Sequence, residues 1–515
     1  PLSIAIKDKR IAWIGSHQDA KHIQGKHIDF GNQAVLPGFI DAHGHASYLA
    51  FATQVANIAS PPVGAIKNIK ELQTELRKFI NDSNLKPGEW VMGLGYDDSL
   101  LEEQRHPTKD DLDEVSTEHP IYLIHVSAHL GAANSLGLSL ANINSETQDP
   151  LGGRIRRYEN SLEPNGVFEE TAAYPLQQLA MSAYKDPIGS VKQAMNIYAR
   201  NGITTAQDGA SSPETIGLMR AADAQGMINL DIISYPIGQN GLDQNLDSIN
   251  FGNYEGRLKI GGIKLILDGS PQGKTAYLTE PYYKPPHSES DSYKGYPLIP
   301  QSEVSKWVKR YADLNIPIMA HANGDAAADM LIEAVKDADI TSDHRTIMIH
   351  AQTVREDQLD QMKELSIIPS YFSTHTFYWG DWHRDSVFGE DRAMRISPTK
   401  STLKRKMPFT VHNDAPVVPP DMIRLLWSTT NRKTRSGKVL GEEQKISTYS
   451  ALEAMTINAA YQHFEDDIKG TIEVGKQADL VVLSQDPLNI DTKDILEIEV
   501  VATFSRGQEV FNAKK

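Results

Sequence analysis

The sequence predicts an α/β fold: a (β/α)₈ TIM barrel with a small β-domain built from both chain ends. Three observations carry that prediction. Short apolar segments alternate with amphipathic ones through the middle of the chain, which is the pattern of βαβ units. Eight of those apolar segments can be counted, the number that closes a barrel. Both chain ends instead read as short strands and turns. At 515 residues the chain is far longer than an average domain of about 100–150 residues, so room remains for more than the barrel.

In chain order, residues 3–7, 10–15 and 31–35 read as strands between turns. Barrel strands are expected at 37–41, 202–208, 229–235, 259–267, 316–321, 345–350, 367–372 and 409–414. Stretches at 301–314, 326–338 and 356–365 fit as helices between them, with right-handed crossovers. The first connection, some 150 residues long, is too long for a loop. It carries a helix at 69–81, an apolar run at 90–94, a strand at 121–126 and a helix at 172–200. We expect it to be an inserted subdomain of about residues 46–199 at the barrel mouth. Asp149-Pro-Leu-Gly-Gly153 and Glu163-Pro-Asn-Gly166 mark its exposed bends. Near the C-terminus, Ala478-Asp-Leu-Val-Val-Leu483 is a compact apolar strand. Residues 498–505 and 509–511 form a hairpin pattern turning at Arg506-Gly507. The expected division is a β-domain from 1–36 plus 465–515 beside a barrel domain at 37–464.

Acidic residues outnumber basic ones, 67 to 51, for a net charge of −16. Nucleic acids and anionic membrane surfaces both call for the opposite sign. No apolar run approaches the roughly 18 residues of a membrane span. The chain has no cysteine, which excludes disulfides and thiolate metal sites. A metal would have to be held by histidine, carboxylate or a modified side chain. Pro1 stands inside what reads as a strand, so the natural N-terminus is expected upstream, and cytoplasmic and exported locations both stay open.

The sharpest motif is His43-Gly-His45, directly after an apolar strand. Residues two apart on a strand point the same way, so both imidazoles can converge on one ion. Alone, such a pair is as readily two incidental histidines. It has company at equivalent places: His321 and His350 each close an apolar segment, as does Asp414 after His412-Asn413. Barrel active sites lie at the C-terminal ends of strands. Lys264 lies within the apolar strand 259–267, where an amine is costly unless paired or neutralised. It either pairs with a carboxylate or reacts with CO₂ to give an anionic carbamate. His412, and His375 in Thr374-His-Thr-Phe-Tyr-Trp379, are further histidines that could face inward.

These segments resemble the amidohydrolase superfamily, and within it the family 3 type. The matching pieces are Val35-Leu-Pro-Gly-Phe-Ile-Asp-Ala-His-Gly-His45, Ile263-Lys-Leu-Ile-Leu-Asp-Gly269, Ala320-His-Ala-Asn-Gly-Asp325, Met348-Ile-His-Ala-Gln352 and His412-Asn-Asp-Ala-Pro416. Gly470-Thr-Ile-Glu-Val-Gly-Lys-Gln-Ala-Asp-Leu480 extends the match towards the C-terminus. The resemblance implies a barrel flanked by a small β-sandwich from both termini. It implies one or two divalent ions, zinc first, with His43 and His45 on one and His321 and His350 on the other. It further implies carboxylated Lys264 as the bridge, with Glu169 or Glu170 as the fallback bridging carboxylate because some members use a glutamate there, and Asp414 beside the water. A homodimer would not be unusual for such a protein.

The expected chemistry is cleavage of a C–N bond in a small molecule. A divalent ion acidifies water. Asp414 would accept the proton as general base and return it to the leaving nitrogen as general acid. His129 is the candidate for stabilising the oxyanion, while His375 and Trp379 are candidate substrate-side residues. Ester or phosphoester hydrolysis on the same scaffold is the alternative, and a non-catalytic binding protein of this fold is the remaining one.

Overall fold

A computed structural model describes residues 2–181, 184–238, 246, 249–286 and 289–514. Each of the eight segments expected to supply a parallel strand contains one. Phe39–Ile40, Ile203–Ser211, Asp231–Pro236 and Leu258–Ile260 pair in parallel in one sheet. Ile263–Ile266, Ile318–Ala322, Ile347–His350, Ile368–Tyr371 and Thr410–Val411 pair in parallel in a second. Gly261 and Gly262 divide the fourth segment between the two sheets. Neither position has room for a side chain: a Cβ would lie 2.7 Å from Ile233 Cγ2 at Gly261 and 2.2 Å from Pro317 O at Gly262. The two sheets meet at both edges. Ile237 bridges to Lys264 at one. At the other, Asp414 N–H donates to His43 O (3.1 Å) and His45 N–H to Ala415 O (2.8 Å).

The strands are buried on both faces, as parallel strands covered by helices must be. The helix Gln301–Asp313 shows why: Val304, Trp307, Val308 and Tyr311 form one apolar stripe that is buried, while Glu303 and Lys306 face out.

The long first connection builds its own six-stranded sheet. Its order is Ala56–Asn57, Val91–Tyr96, Ile121–His125, Leu130–Ala133, Pro164–Glu170 and Gly153–Arg157. Ile69, Leu72 and Leu76 of the helix Ile69–Asp82 cover it, in a core separate from that of the parallel sheets. The single helix expected at 172–200 is instead two, Tyr174–Ala180 and Pro187–Arg200. The reason is local: Pro187 has no N–H to continue a helix but suits a first turn, and the Asp186 side chain caps it by accepting from Gly189 N–H.

At the chain ends, Leu2–Lys7 and Arg10–Ser16 form an antiparallel pair. Ala34–Pro37 joins Leu480–Leu483, Val500–Ser505 and Gln508–Asn512 in a four-stranded antiparallel sheet. The strand expected at 31–35 thus sits slightly later in the chain. Among the described residues, no helix is long and apolar enough to cross a membrane.

A buried ionic network ties the C-terminal segment to the starts of the parallel strands. Lys469 Nζ donates to Asp231 Oδ2 (2.7 Å) and Thr205 Oγ1 (3.1 Å), and lies 3.3 Å from Glu465 Oε2. Asp231 Oδ1 also accepts from Arg257 (3.0 Å) and Arg506 (2.8 Å). Burial alone would raise the Asp231 pKa, but Lys469 and Arg506 hold it well below the usual range. A depressed carboxyl adds stability above its unfolded pKa of about 3.9 and loses it as pH falls through the folded value. Lys469→Met removes the shared cation but leaves Asp231 with Arg257 and Arg506 and Glu465 with Lys259, so we expect a cost of about 1–3 kcal/mol. In thermal melts at neutral pH the variant should unfold well below the wild type, and coincident melts would contradict the assignment.

Candidate metal centre

The centre is assembled where the parallel strands end. His43 and His45 follow Phe39–Ile40, Lys264 lies in Ile263–Ile266, His321 in Ile318–Ala322, and His350 ends Ile347–His350. His412 and Asp414 follow Thr410–Val411. One ligand atom each from His43, His350 and Asp414 lies within 4.8 Å of the others. His45 Nε2 is 3.0 Å and His43 Nε2 3.5 Å from Asp414 Oδ1, while Lys264 Nζ is 3.3 Å from His43 Nε2. His350 Nε2 is 3.1 Å from His321 Nδ1, and His350 Nδ1 is 3.3 Å from His412 Nε2.

The rings are aimed from outside. Gln207 Nε2 donates to Ala42 O (2.7 Å), which turns Gln207 Oε1 towards His43 Nδ1–H at 2.5 Å. His45 Nδ1–H donates to Gly209 O, and His412 Nδ1 is bonded to Ser370 Oγ (2.9 Å). The acceptor oxygens behind His43 and His45 leave their Nε2 lone pairs facing the cluster. His321 is turned the other way: its Nε2 meets Gly269 O at 3.1 Å and its Nδ1 faces His350. His350 and Asp414 are held at positive φ (71° and 60°), a conformation unfavourable for side chains of their size.

Burial dominates the electrostatics. It pushes His43, His321 and His350 well below the usual imidazole pKa and His412 down to about 3, helped by neighbouring imidazoles and by Lys264. It pushes the Lys264 amine down to about 7, although Asp414 opposes the shift. For Asp414 burial acts upward, but the adjacent His45 imidazole holds it below the usual carboxylate value. The result is a buried cluster in which His43, His321, His350 and His412 are held uncharged beside the Asp414 carboxylate.

The remaining predicted residues surround this pocket. His129 Nδ1 meets Glu170 Oε2 at 2.7 Å, and its ring lies 5.0 Å from that of His321. Burial alone would lower the His129 pKa, but the Glu170 carboxylate raises it. Glu169 is bonded to Arg156 (2.6 Å) and Tyr296 (3.1 Å), whereas Glu170 Oε1 is buried with no hydrogen-bond partner among the described residues. His375 is fully buried, with Nδ1 2.9 Å from His383 Nε2 and Trp379 packed against its ring. Trp379 Nε1 donates to Asp97 Oδ2 (2.6 Å), a contact between the insertion and a barrel loop.

Sequence reasoning missed three residues here. Gln207 had no local signal. Asp268 did, as an acidic residue before glycine at the end of an apolar strand. Its carboxylate accepts backbone N–H bonds from Asn323, Gly324 and Tyr277 (3.0, 2.8 and 2.9 Å) and lies 3.4 Å from His321 Nε2. Burial outweighs those bonds and raises its pKa to about 7. Asp97 belongs to a second cluster, with Asp98 and His125. There Ser127 N–H donates to His125 Nδ1 (3.2 Å), which leaves the proton on Nε2 and directs it to Asp98 Oδ1 (3.0 Å). In that tautomer the second cluster is a hydrogen-bonded network.

Comparison with known proteins agrees with this geometry. Residues 26–511 match the model of the amidohydrolase family. The chain is 28% identical to N-substituted formamide deformylase of Arthrobacter pascens, over 98% of this chain and 94% of that protein. It is 23% identical to the putative amidohydrolase YtcJ of Bacillus subtilis, over 99% of this chain and 96% of the other. A metal-dependent hydrolase from Pyrococcus horikoshii superposes with a TM-score of 0.74 at 22% identity, covering 95% of both chains. The fold is accordingly a TIM-barrel-containing α/β fold. This chain belongs to the amidohydrolase family and is a metal-dependent hydrolase of carbon–nitrogen bonds other than peptide bonds.

Proposed function

We propose that the protein hydrolyses a small amide of the N-formyl or N-acyl amine type, with Asp414 moving the proton. The observation that carries this reading is the convergence of His43, His45, His350 and His412 on Asp414, with ring nitrogens aimed inward by bonds from outside. Imidazole and carboxylate suit zinc, and the chain has no thiolate to offer. His43 and His45 would hold one ion and His321 and His350 a second, beside Asp414. The same reading takes the two parallel sheets as one closed (β/α)₈ barrel, and the terminal strands as a small β-sandwich.

Lys264 suits the bridging role. With its amine near 7, the neutral nucleophilic form is populated at physiological pH. Its nitrogen would add to the carbon of CO₂, one proton would leave to solvent, and the resulting carbamate would present two oxygens that share one negative charge. Metal bound here would acidify the attacking water and polarise the substrate carbonyl. Asp414 takes a proton from that water and delivers it to the leaving nitrogen. His129, fixed by Glu170, is placed to donate to the carbonyl oxygen. A mostly apolar cavity of about 270 Å³ is lined by Leu49, Val126, Trp379 and Val417, with Asp97 and Arg435 also on its wall. It would take an apolar substituent. The chemistry named for the Arthrobacter relative supports an N-formyl substrate.

Asp414→Asn keeps the side-chain shape but cannot accept the proton. On an N-formyl amine we expect kcat to fall by roughly 10²–10⁴-fold while metal content stays near wild type. An Asp414→Asn enzyme with wild-type kcat would remove Asp414 from the proton path. Gln207→Leu leaves His43 Nδ1–H without its acceptor. Metal affinity should weaken by about 10–100-fold in competition with a chelator, and unaltered affinity would show that His43 is not a ligand.

A further inference from the structure

The two parallel sheets meet beneath the metal centre without a ladder. Phe39–Ile40 ends one sheet and Thr410–Val411 ends the other, and among the described residues no strand pairing joins them. Backbone bonds cross this edge at Asp414 and His45. Ladder bonds are what normally fix the register of neighbouring strands. Here that register also decides how far His43 and His45 stand from His412 and Asp414.

One side chain spans the edge just below these groups. Gln462 ends the helix Ile457–Gln462 and is buried. Its Nε2 donates to Ala42 O (2.7 Å), the carbonyl directly before His43. Its Oε1 accepts from Thr410 Oγ1 (2.8 Å), two residues before His412. A single amide thus grips the ends of both sheets. Packing brings it there, because Ala459 and Ala460 of the same helix bury against Ile40 and Ala42. The orientation of the amide is determined: Ala42 O can only accept, so the NH₂ group must face it. The amide nitrogen also meets His463 Nε2 (3.0 Å), and His463 Nδ1 is bonded to Tyr235 Oη (3.0 Å).

Ala42 O is also the acceptor of Gln207, whose Oε1 holds His43. A carbonyl oxygen has two lone pairs, and here both are met by side-chain amides at 2.7 Å. A displacement of Ala42 therefore moves the acceptor that orients Gln207 and, through it, the His43 ring. In the other direction Lys259 Nζ donates to His463 O (2.8 Å) and pairs with Glu465 (3.2 Å). Gln462 thus links the buried ionic network at the strand starts to the groups at the strand ends.

We infer that Gln462 is a positioning residue of the metal centre. By clamping Ala42 to Thr410 it sets the spacing between the pair His43 and His45 and the pair His412 and Asp414. The inference rests on reading these residues as a metal centre, and assigns their spacing to a side chain that hydrogen-bonds to none of them.

Gln462→Met keeps the length of the side chain and removes both bonds. Zinc affinity, measured by competition with a chelator, should weaken about tenfold or more. The visible absorption of the Co(II)-loaded protein should shift as the ligand spacing changes. Thr410→Val removes one arm of the clamp and should weaken zinc in the same sense, whereas Thr410→Ser keeps the hydroxyl and should retain wild-type affinity. Asn458→Leu controls for the helix itself: Asn458 Nδ2 donates to Phe409 O (3.1 Å) from the same helix. That variant should melt at a lower temperature and bind zinc as the wild type does. Wild-type zinc affinity in Gln462→Met overturns the clamp, as does an equal loss of affinity in Asn458→Leu. Should Gln462→Met not fold, the comparison of Thr410→Val with Thr410→Ser decides, and equal affinities in those two overturn the clamp. If the wild-type chain takes up neither zinc nor cobalt, the metal-centre reading fails and the clamp falls with it.

Discussion

The architecture depends on a group of imidazoles that burial keeps uncharged. His43, His321, His350 and His412 bring ring nitrogens within hydrogen-bond range of one another or of Lys264, and each is pushed far from protonation. A neutral imidazole carries one N–H, so His350 can donate to only one of His321 and His412, and a cation among the rings would satisfy the lone pairs that remain. Asp414 adds the negative charge that makes a cation still more favourable there. Everything around the cluster serves to keep these groups aimed: the Gln207 amide, the Gly209 carbonyl and the Ser370 hydroxyl each hold a ring from behind.

The two ends of the parallel strands divide the labour. Their C-terminal ends carry the imidazoles and the positive-φ positions His350 and Asp414, each a cost of about 1–3 kcal/mol. Near the starts of Ile203–Ser211 and Asp231–Pro236, Lys469, Asp231, Arg257 and Arg506 form a buried ionic lock. Strain at one end and fixation at the other is the arrangement in which a scaffold tolerates an unfavourable but useful site. The insertion completes the mouth, bringing His129 and Glu170 to the rim and anchoring itself through the Asp97–Trp379 bond.

Much of this was legible in the sequence because strands that end in a histidine are local signals. The segments ending at His321 and His350 announce themselves by an apolar run closed by one polar residue. Pro187, at the first turn of Pro187–Arg200, is the local signal that divides the helix expected at 172–200. What sequence could not provide is orientation. Thr410–Val411 is only two residues long, too short for alternation to tell which way His412 points. Nor could it show that Gln207 reaches back to His43, or that Asp97 meets Trp379, since those partners are 164 and 282 positions apart. Asp268 was visible as a motif letter, but its role beside His321 follows only from the bonds that the loop 323–324 makes to it.

The most direct test is elemental analysis of protein purified from metal-supplemented culture, alongside a His43→Ala/His45→Ala double variant. The account requires at least one divalent ion bound per wild-type chain and retained through dialysis, with that occupancy lost in the double variant. A wild-type protein that hydrolyses its amide with no bound metal, or a double variant that keeps full occupancy, would contradict it.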